Sequence, residues 1–203
     1  MLVAMPRWDP RAEDRLRAAA LELYLEHGYE SVTVAQITER AGLTRRTFSR
    51  YFTDKRDVLF AGSAQLPVTL ADAVRRADHS LPPFGALLAA FADTGELLAG
   101  RVRHVAPRRA IIKASPELQE RERTKFAAVT AALAEALRQR GAAESQASLL
   151  AHVGAAIFQA AFERWADQAG QADFSACVRE AATELAGSLA AVDIPALSGR
   201  IGT

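Results

Sequence analysis

Residues 44–52, TRRTFSRYF, gather three arginines, three small hydroxyl side chains and three aromatic rings into nine positions. Read as a helix, the stretch divides by side. Phe48 stands three and four positions before Tyr51 and Phe52, so the rings share one side. Arg45 and Ser49 are four apart, as are Arg46 and Arg50, and these pairs fall on other sides. Thr44 and Thr47 lie near the helix start, where backbone N–H groups have no helical acceptor. This equipment suits a DNA groove. Arginine presents two donors to guanine, threonine meets a thymine methyl, and hydroxyls and amides hold phosphates. A merely solvated amphipathic helix could carry the same residues, so the surrounding elements must decide.

Other chemistry finds little footing. There is no glycine-rich phosphate loop, no nucleophile elbow and no obvious carboxylate pair. His27, His79, His104 and His152 lack metal-ligand spacing. No catalytic residue, metal or cofactor is therefore expected, and the chain does not read as an enzyme. A helical enzyme or a helical protein-interaction module, each with these N-terminal helices as an accessory, is the alternative. The single cysteine, Cys177, excludes an internal disulfide and reads as a small buried hydrophobe. The net charge of +1 excludes a polycation, so nucleic-acid binding must come from local clustering. No apolar run approaches the ~18–20 residues of a membrane span, and the first ten residues lack a secretory apolar core. A cytoplasmic protein is the expectation.

The elements that position 44–52 are legible. Asp9-Pro10 should open a first helix, with aspartate as cap and proline at the first position. Leu16, Ala20, Leu23, Tyr24 and His27 line its inner face, and Gly28 ends it. Thr33-Val-Ala-Gln36 has the form of a capping box. Val34, Ile37 and Ala41 form the inner stripe of that second helix, and Gly42 stops it. After Leu43, Thr44 caps the short third helix. Asp54 should open a fourth with Lys55 in its first turn. Two short helices joined by a glycine-containing turn make a helix-turn-helix pattern.

Residues 33–55, TVAQITERAGLTRRTFSRYFTDK, closely resemble the DNA-binding signature of TetR-family transcriptional regulators. Thr33, Ile37, Ala41, Gly42, Thr47, Tyr51, Phe52 and Lys55 carry the match, and the likeness extends over about residues 10–60. Two positions depart from the family pattern. Ser49 stands where an aromatic residue often touches phosphate, and Arg46 replaces a frequent small residue. The resemblance implies an all-α protein with a three-helix helix-turn-helix domain over 9–60 and a larger effector-binding and dimerisation domain over 61–193. It implies a homodimer on an inverted-repeat DNA operator, most simply a repressor released by a small hydrophobic effector. Thr33, Thr44, Arg45, Arg46, Thr47, Ser49, Arg50, Tyr51 and Lys55 become the expected DNA contacts.

Beyond residue 60 charge thins and helices lengthen, with spans expected near 65–79, 84–99, 101–113, 117–140, 144–169 and 173–192. The last two are the expected dimer interface, as a four-helix bundle of two helices from each subunit. Phe91, Phe126, Phe158, Phe162 and Trp165 are core aromatics that could also line a pocket. His104 and Arg108 are candidate polar lining. Arg101, Arg103, Arg108 and Arg109 cluster about Pro107, which would matter for an anionic effector.

Overall fold

Alanine, leucine and arginine favour helix, and glycine and proline interrupt it. The computed structural model describes residues 11–60, 63–95, 105–168, 171 and 173–192. Every regular element among them is helical: α1 (Ala12–His27), α2 (Val34–Arg40), α3 (Arg45–Tyr51), α4 (Asp57–Phe60), α5 (Leu66–Arg76), α6 (Pro83–Asp93), α7 (Val105–Ala114), α8 (Pro116–Gln139), α9 (Glu144–Asp167) and α10 (Phe174–Ala190). The expected all-α class is the one observed. The expected Asp9-Pro10 start lies outside the described residues, and α1 follows Arg11, which makes no side-chain cap. Asp54 does cap, but three residues ahead of α4. Its Oδ1 accepts the Asp57 N–H at 2.9 Å, so Lys55 sits in the turn and not in the helix.

The described parts of residues 1–66 and 103–127 form one compact unit, and those of 67–102 and 128–203 a second. In the first, Leu16, Ala20, Leu23 and Tyr24 of α1 meet Ile37 of α2, Phe48 of α3 and Val58, Leu59 and Phe60 of α4. Ile111, Ile112 and Leu118 complete that core. Residues 103–127, which the sequence reading assigns to the larger C-terminal part, thus supply apolar side chains to the helix-turn-helix core. In the second unit, α6, α9 and α10 pack on one another. Gly154 permits this, because a Cβ there would lie 3.1 Å from Leu87 and 3.4 Å from Phe91. Arg140 closes the end of α5 by donating to the Ala77 and Asp78 carbonyls at 2.7 and 2.8 Å.

Charges tie α7 and α8 to α4 inside the first unit. Arg108 Nε donates to the Leu59 carbonyl at 2.5 Å, at the open end of α4, and its Nη2 to Glu122 at 2.9 Å. Arg121 pairs with Asp57 at 3.3 Å. Both guanidiniums approach the Phe60 ring, at 5.0 and 5.1 Å, within the range of cation–π attraction. Lys125 donates to Glu122 at 2.6 Å and is largely buried. Burial, aided by the nearby Arg108 charge, pushes its ammonium down to about 8, against the pull of Glu122.

That shift has a sign. Between about pH 8 and pH 10.5 the unfolded chain holds the Lys125 proton more tightly than the folded one, so stability from this group rises with pH. The urea midpoint of the native protein, relative to a Lys125→Met variant, is expected to rise from pH 7 to pH 10. A constant difference would show that Lys125 titrates as it does in water.

Candidate nucleic-acid interface

The link between α2 and α3 is a four-residue turn with a defined hydrogen-bond closure. Leu43 N–H donates to the Thr38 carbonyl at 2.9 Å and Gly42 N–H to the Glu39 carbonyl at 3.0 Å. This is the Schellman pairing, which needs a left-handed residue after the helix. Gly42 supplies it with φ +63°. Arg15 of α1 reaches across to the same turn and donates to the Ala41 carbonyl at 2.5 Å. Thr44 then starts α3: its Oγ1 accepts the Thr47 N–H at 3.1 Å and lies 3.0 Å from the Thr47 hydroxyl. Ahead of it, Thr33 and Gln36 form the expected capping box, with Gln36 Oε1 accepting the Thr33 N–H at 2.8 Å.

Seven residues do not hold a helix alone, and α3 is held by its rings. Phe48 and Phe52 are buried to 2 % exposure and lie 5.4 Å apart. Tyr51 is half-buried and packs against the same core, 6.4 Å from Phe52. Arg45, Arg46, Ser49 and Arg50 are exposed, and Thr47 is half-buried. The two-sided division expected from spacing is the one the structure shows.

The arginines of this region do different work. Arg15 is spent on the turn. Arg40 of α2 makes a paired contact to Glu26 of α1, at 3.0 and 2.8 Å, and holds that carboxyl below the usual range. Arg56 is bound to Asp54 and Glu117. Arg45 and Arg46 carry no hydrogen bond or ion pair among the described residues. Arg50 Nη2 donates to the Tyr51 hydroxyl at 2.9 Å, and its guanidinium lies 4.8 Å from that ring's centre. The α3 surface therefore carries three guanidiniums with no carboxylate against them.

Two expected contacts are placed otherwise. Lys55 is directed at the loop after α1, donating to the carbonyls of Tyr29, Glu30 and Val32 at 2.9, 3.0 and 3.0 Å. An ammonium has three donors, and all three are engaged, so in this arrangement Lys55 closes a loop and offers no donor to a phosphate. Tyr24 reinforces it by donating its hydroxyl to the Lys55 carbonyl at 2.7 Å; burial raises that phenol above its ordinary range. Thr33 is likewise committed to its cap. Arg15 and Tyr24, not anticipated from the sequence, act over 26 and 31 residues, and no local spacing signals such a contact.

The expected ligand residues separate. His104, with Arg101 and Arg103, lies outside the described residues. Arg108 and Phe126 belong to the first unit, where Arg108 is bound to Leu59 and Glu122 and Lys125 lies over the Phe126 ring. Phe91, Phe158, Phe162 and Trp165 come together in the second unit. Phe174 links them: Phe91–Phe158, Phe158–Phe174, Phe174–Trp165 and Trp165–Phe162 centroids are 5.3, 5.6, 6.0 and 5.9 Å apart. Of the four expected rings only Phe162 keeps appreciable exposure. The described residues hold no cluster of three His, Cys, Asp or Glu that could bind a metal ion, and no helix long and apolar enough to cross a membrane.

Residues 16–61 match the family model for bacterial regulatory proteins of the tetR family, and residues 81–190 match that of the MftR C-terminal domain. The chain is 37% identical over 94 residues to the HTH-type transcriptional regulator TcmR of Streptomyces glaucescens, covering 46% of this chain and 39% of that protein. It is 41% identical over 64 residues to the HTH-type transcriptional regulator BetI of Escherichia coli, covering 32% of this chain and 33% of that one. These matches span well under half of either relative. Among solved structures, FadR of Bacillus subtilis in complex with stearoyl-CoA superposes with a TM-score of 0.57 at 18% identity, over 83% of this chain and 94% of that one. A SmeT–triclosan complex gives 0.55 at 17%, over 85% and 90%. At these identities the likeness is one of fold.

Gly42→Ala tests the turn. Forcing an L side chain to positive φ costs about 1–2 kcal/mol, and the added Cβ would meet Arg15 at 3.2 Å. Chemical denaturation should show a loss of that size, whereas an unchanged midpoint would mean the left-handed turn does not hold α3 in place.

Proposed function

The chain belongs to the TetR family of bacterial regulatory proteins, and on that premise we propose that it is a repressor that grips an inverted-repeat DNA operator as a homodimer and lets go when a small hydrophobic effector binds. The observation that carries the DNA-binding half is the uncompensated guanidinium face of α3. It stands on a helix anchored from behind by Phe48 and Phe52, beside a turn whose geometry is held by Gly42 and Arg15. Arg45, Arg46, Ser49 and Arg50 are the side chains turned outward, with Thr44, Thr47 and Tyr51 at its margins. Lysine or arginine contacts to phosphate release counterions, so binding of this kind weakens steeply with salt.

Dimerisation is supported by apolar surface left exposed on the last two helices. Leu149 is 64 % exposed on α9, on one side with His152, Val153 and Ala156. Leu189 of α10 and Val192 just beyond it are 55 % and 48 % exposed. Burying such surface contributes about 25 cal/mol per Å², and pairing α9 and α10 with their copies would bury it. Two recognition helices would then reach successive major grooves about 34–36 Å apart.

A hydrophobic effector is supported by the ring-lined core of the second unit and by the stearoyl-CoA and triclosan bound to the structural neighbours. Such a ligand shifts the protein off DNA only by binding the two states unequally.

Selection from a pool of random duplexes, followed by a salt series on the selected site, tests the reading. The native protein is expected to select a two-fold symmetric sequence. Arg46→Ala should lower its affinity for that site by roughly 10-fold or more, with a shallower salt dependence and an unchanged unfolding midpoint. A folded protein that selects no sequence at any salt or effector concentration would sink the proposal.

A further inference from the structure

The three guanidiniums of α3 are not equivalent, and the difference points to a division of labour. This inference rests on the reading that α3 enters DNA. Arg45 and Arg46 have no partner among the described residues, so their heads are set by solvent alone. Arg50 is placed: one N–H goes to the Tyr51 hydroxyl at 2.9 Å, and the guanidinium lies 4.8 Å from the tyrosine ring centre. Tyr51 is itself half-buried and packs against the core beside Phe52, so the brace is attached to the body of the domain. Neighbours along a helix ordinarily point apart, and this contact forms where α3 ends.

Bases and phosphates make different demands on a guanidinium. Guanine offers two acceptors on one edge, N7 and O6, and both are met only when the arginine fork is coplanar with the base. A phosphate accepts from many directions. A free arginine gives up rotamer freedom to be aligned; a braced one has already given it up. Arg50 has five N–H donors and uses one on Tyr51, which leaves the fork for the base. Ser49, exposed and small beside it, leaves the approach open.

We propose that Arg50 is the residue that reads a guanine in each half-site, with Tyr51 as its positioning residue, while Arg45 and Arg46 supply grip on phosphates without regard to sequence.

The test uses the full-length protein and the duplex selected from a random pool. Each base pair of that duplex is substituted singly, and affinities are measured over a salt series for the native protein, Arg50→Lys, Tyr51→Phe and Arg46→Ala. Arg50→Lys keeps the charge and loses the fork. It should cut discrimination for guanine at one position per half-site by about 10-fold or more, with the salt slope unchanged. Tyr51→Phe keeps the ring and loses the acceptor, and should reduce discrimination at the same position by a smaller factor. Arg46→Ala should weaken all sequences alike and reduce the salt slope by about one. Thermal unfolding of each variant separates these effects from loss of fold. Arg50→Lys with the native preferences intact would overturn the assignment while leaving the DNA-binding reading standing, as would loss of the same guanine preference in Arg46→Ala. A native protein that selects no sequence would overturn both.

Discussion

A helix of seven residues is not stable by itself in water, because nucleation costs more than so few hydrogen bonds return. The recognition surface of this protein therefore depends on burial behind it. Phe48 and Phe52 remove their rings from solvent among α1, α2 and α4 residues, and the backbone follows. The turn at Ala41–Leu43 sets the direction in which it follows. Gly42 takes the positive φ, and Arg15 meets the Ala41 carbonyl that α2 leaves unsatisfied. Thr44 answers the opposite need at the start of α3. What the outward face presents is a consequence of how tightly the inward face and both ends are held.

One residue type serves two purposes here. Arg15, Arg40 and Arg56 are consumed by carbonyls and carboxylates within the first unit. Arg108 and Arg121 do the same work for α7 and α8. Exposed ion pairs of this sort contribute little each, but they decide which cations remain uncompensated. Those that remain lie on α3. Lys55 belongs with the first group: three carbonyls of the loop after α1 share its ammonium, joining the turn before α4 to the entrance of α2.

The helix-turn-helix was legible because its signals are local. Caps at Thr33 and Thr44, the stop at Gly42 and the spacing of Phe48 and Phe52 each act within four or five residues. The segment 103–127 was less legible. Its apolar residues Ile111, Ile112 and Leu118 would suit the core of either part, and only packing shows that they serve the first. The aromatic set divides for the same reason. Phe91, Phe158, Phe162 and Trp165 join through Phe174, whereas Phe126 lies elsewhere, and nothing in ring spacing along the chain distinguishes them.

By itself the sequence determined the helical class, the order of the first four helices, the turn and the inward and outward sides of α3. Helical periodicity, capping chemistry and glycine's access to positive φ are properties of neighbouring residues. Tertiary structure decided which cations are occupied and which are open. The partners of Arg15, Arg40 and Lys55 lie 14 to 26 residues away. Even the Arg50–Tyr51 brace, between adjacent residues, forms only because the core holds Tyr51 in place. A side chain's charge is written in the sequence; its availability depends on what the fold brings within hydrogen-bonding distance.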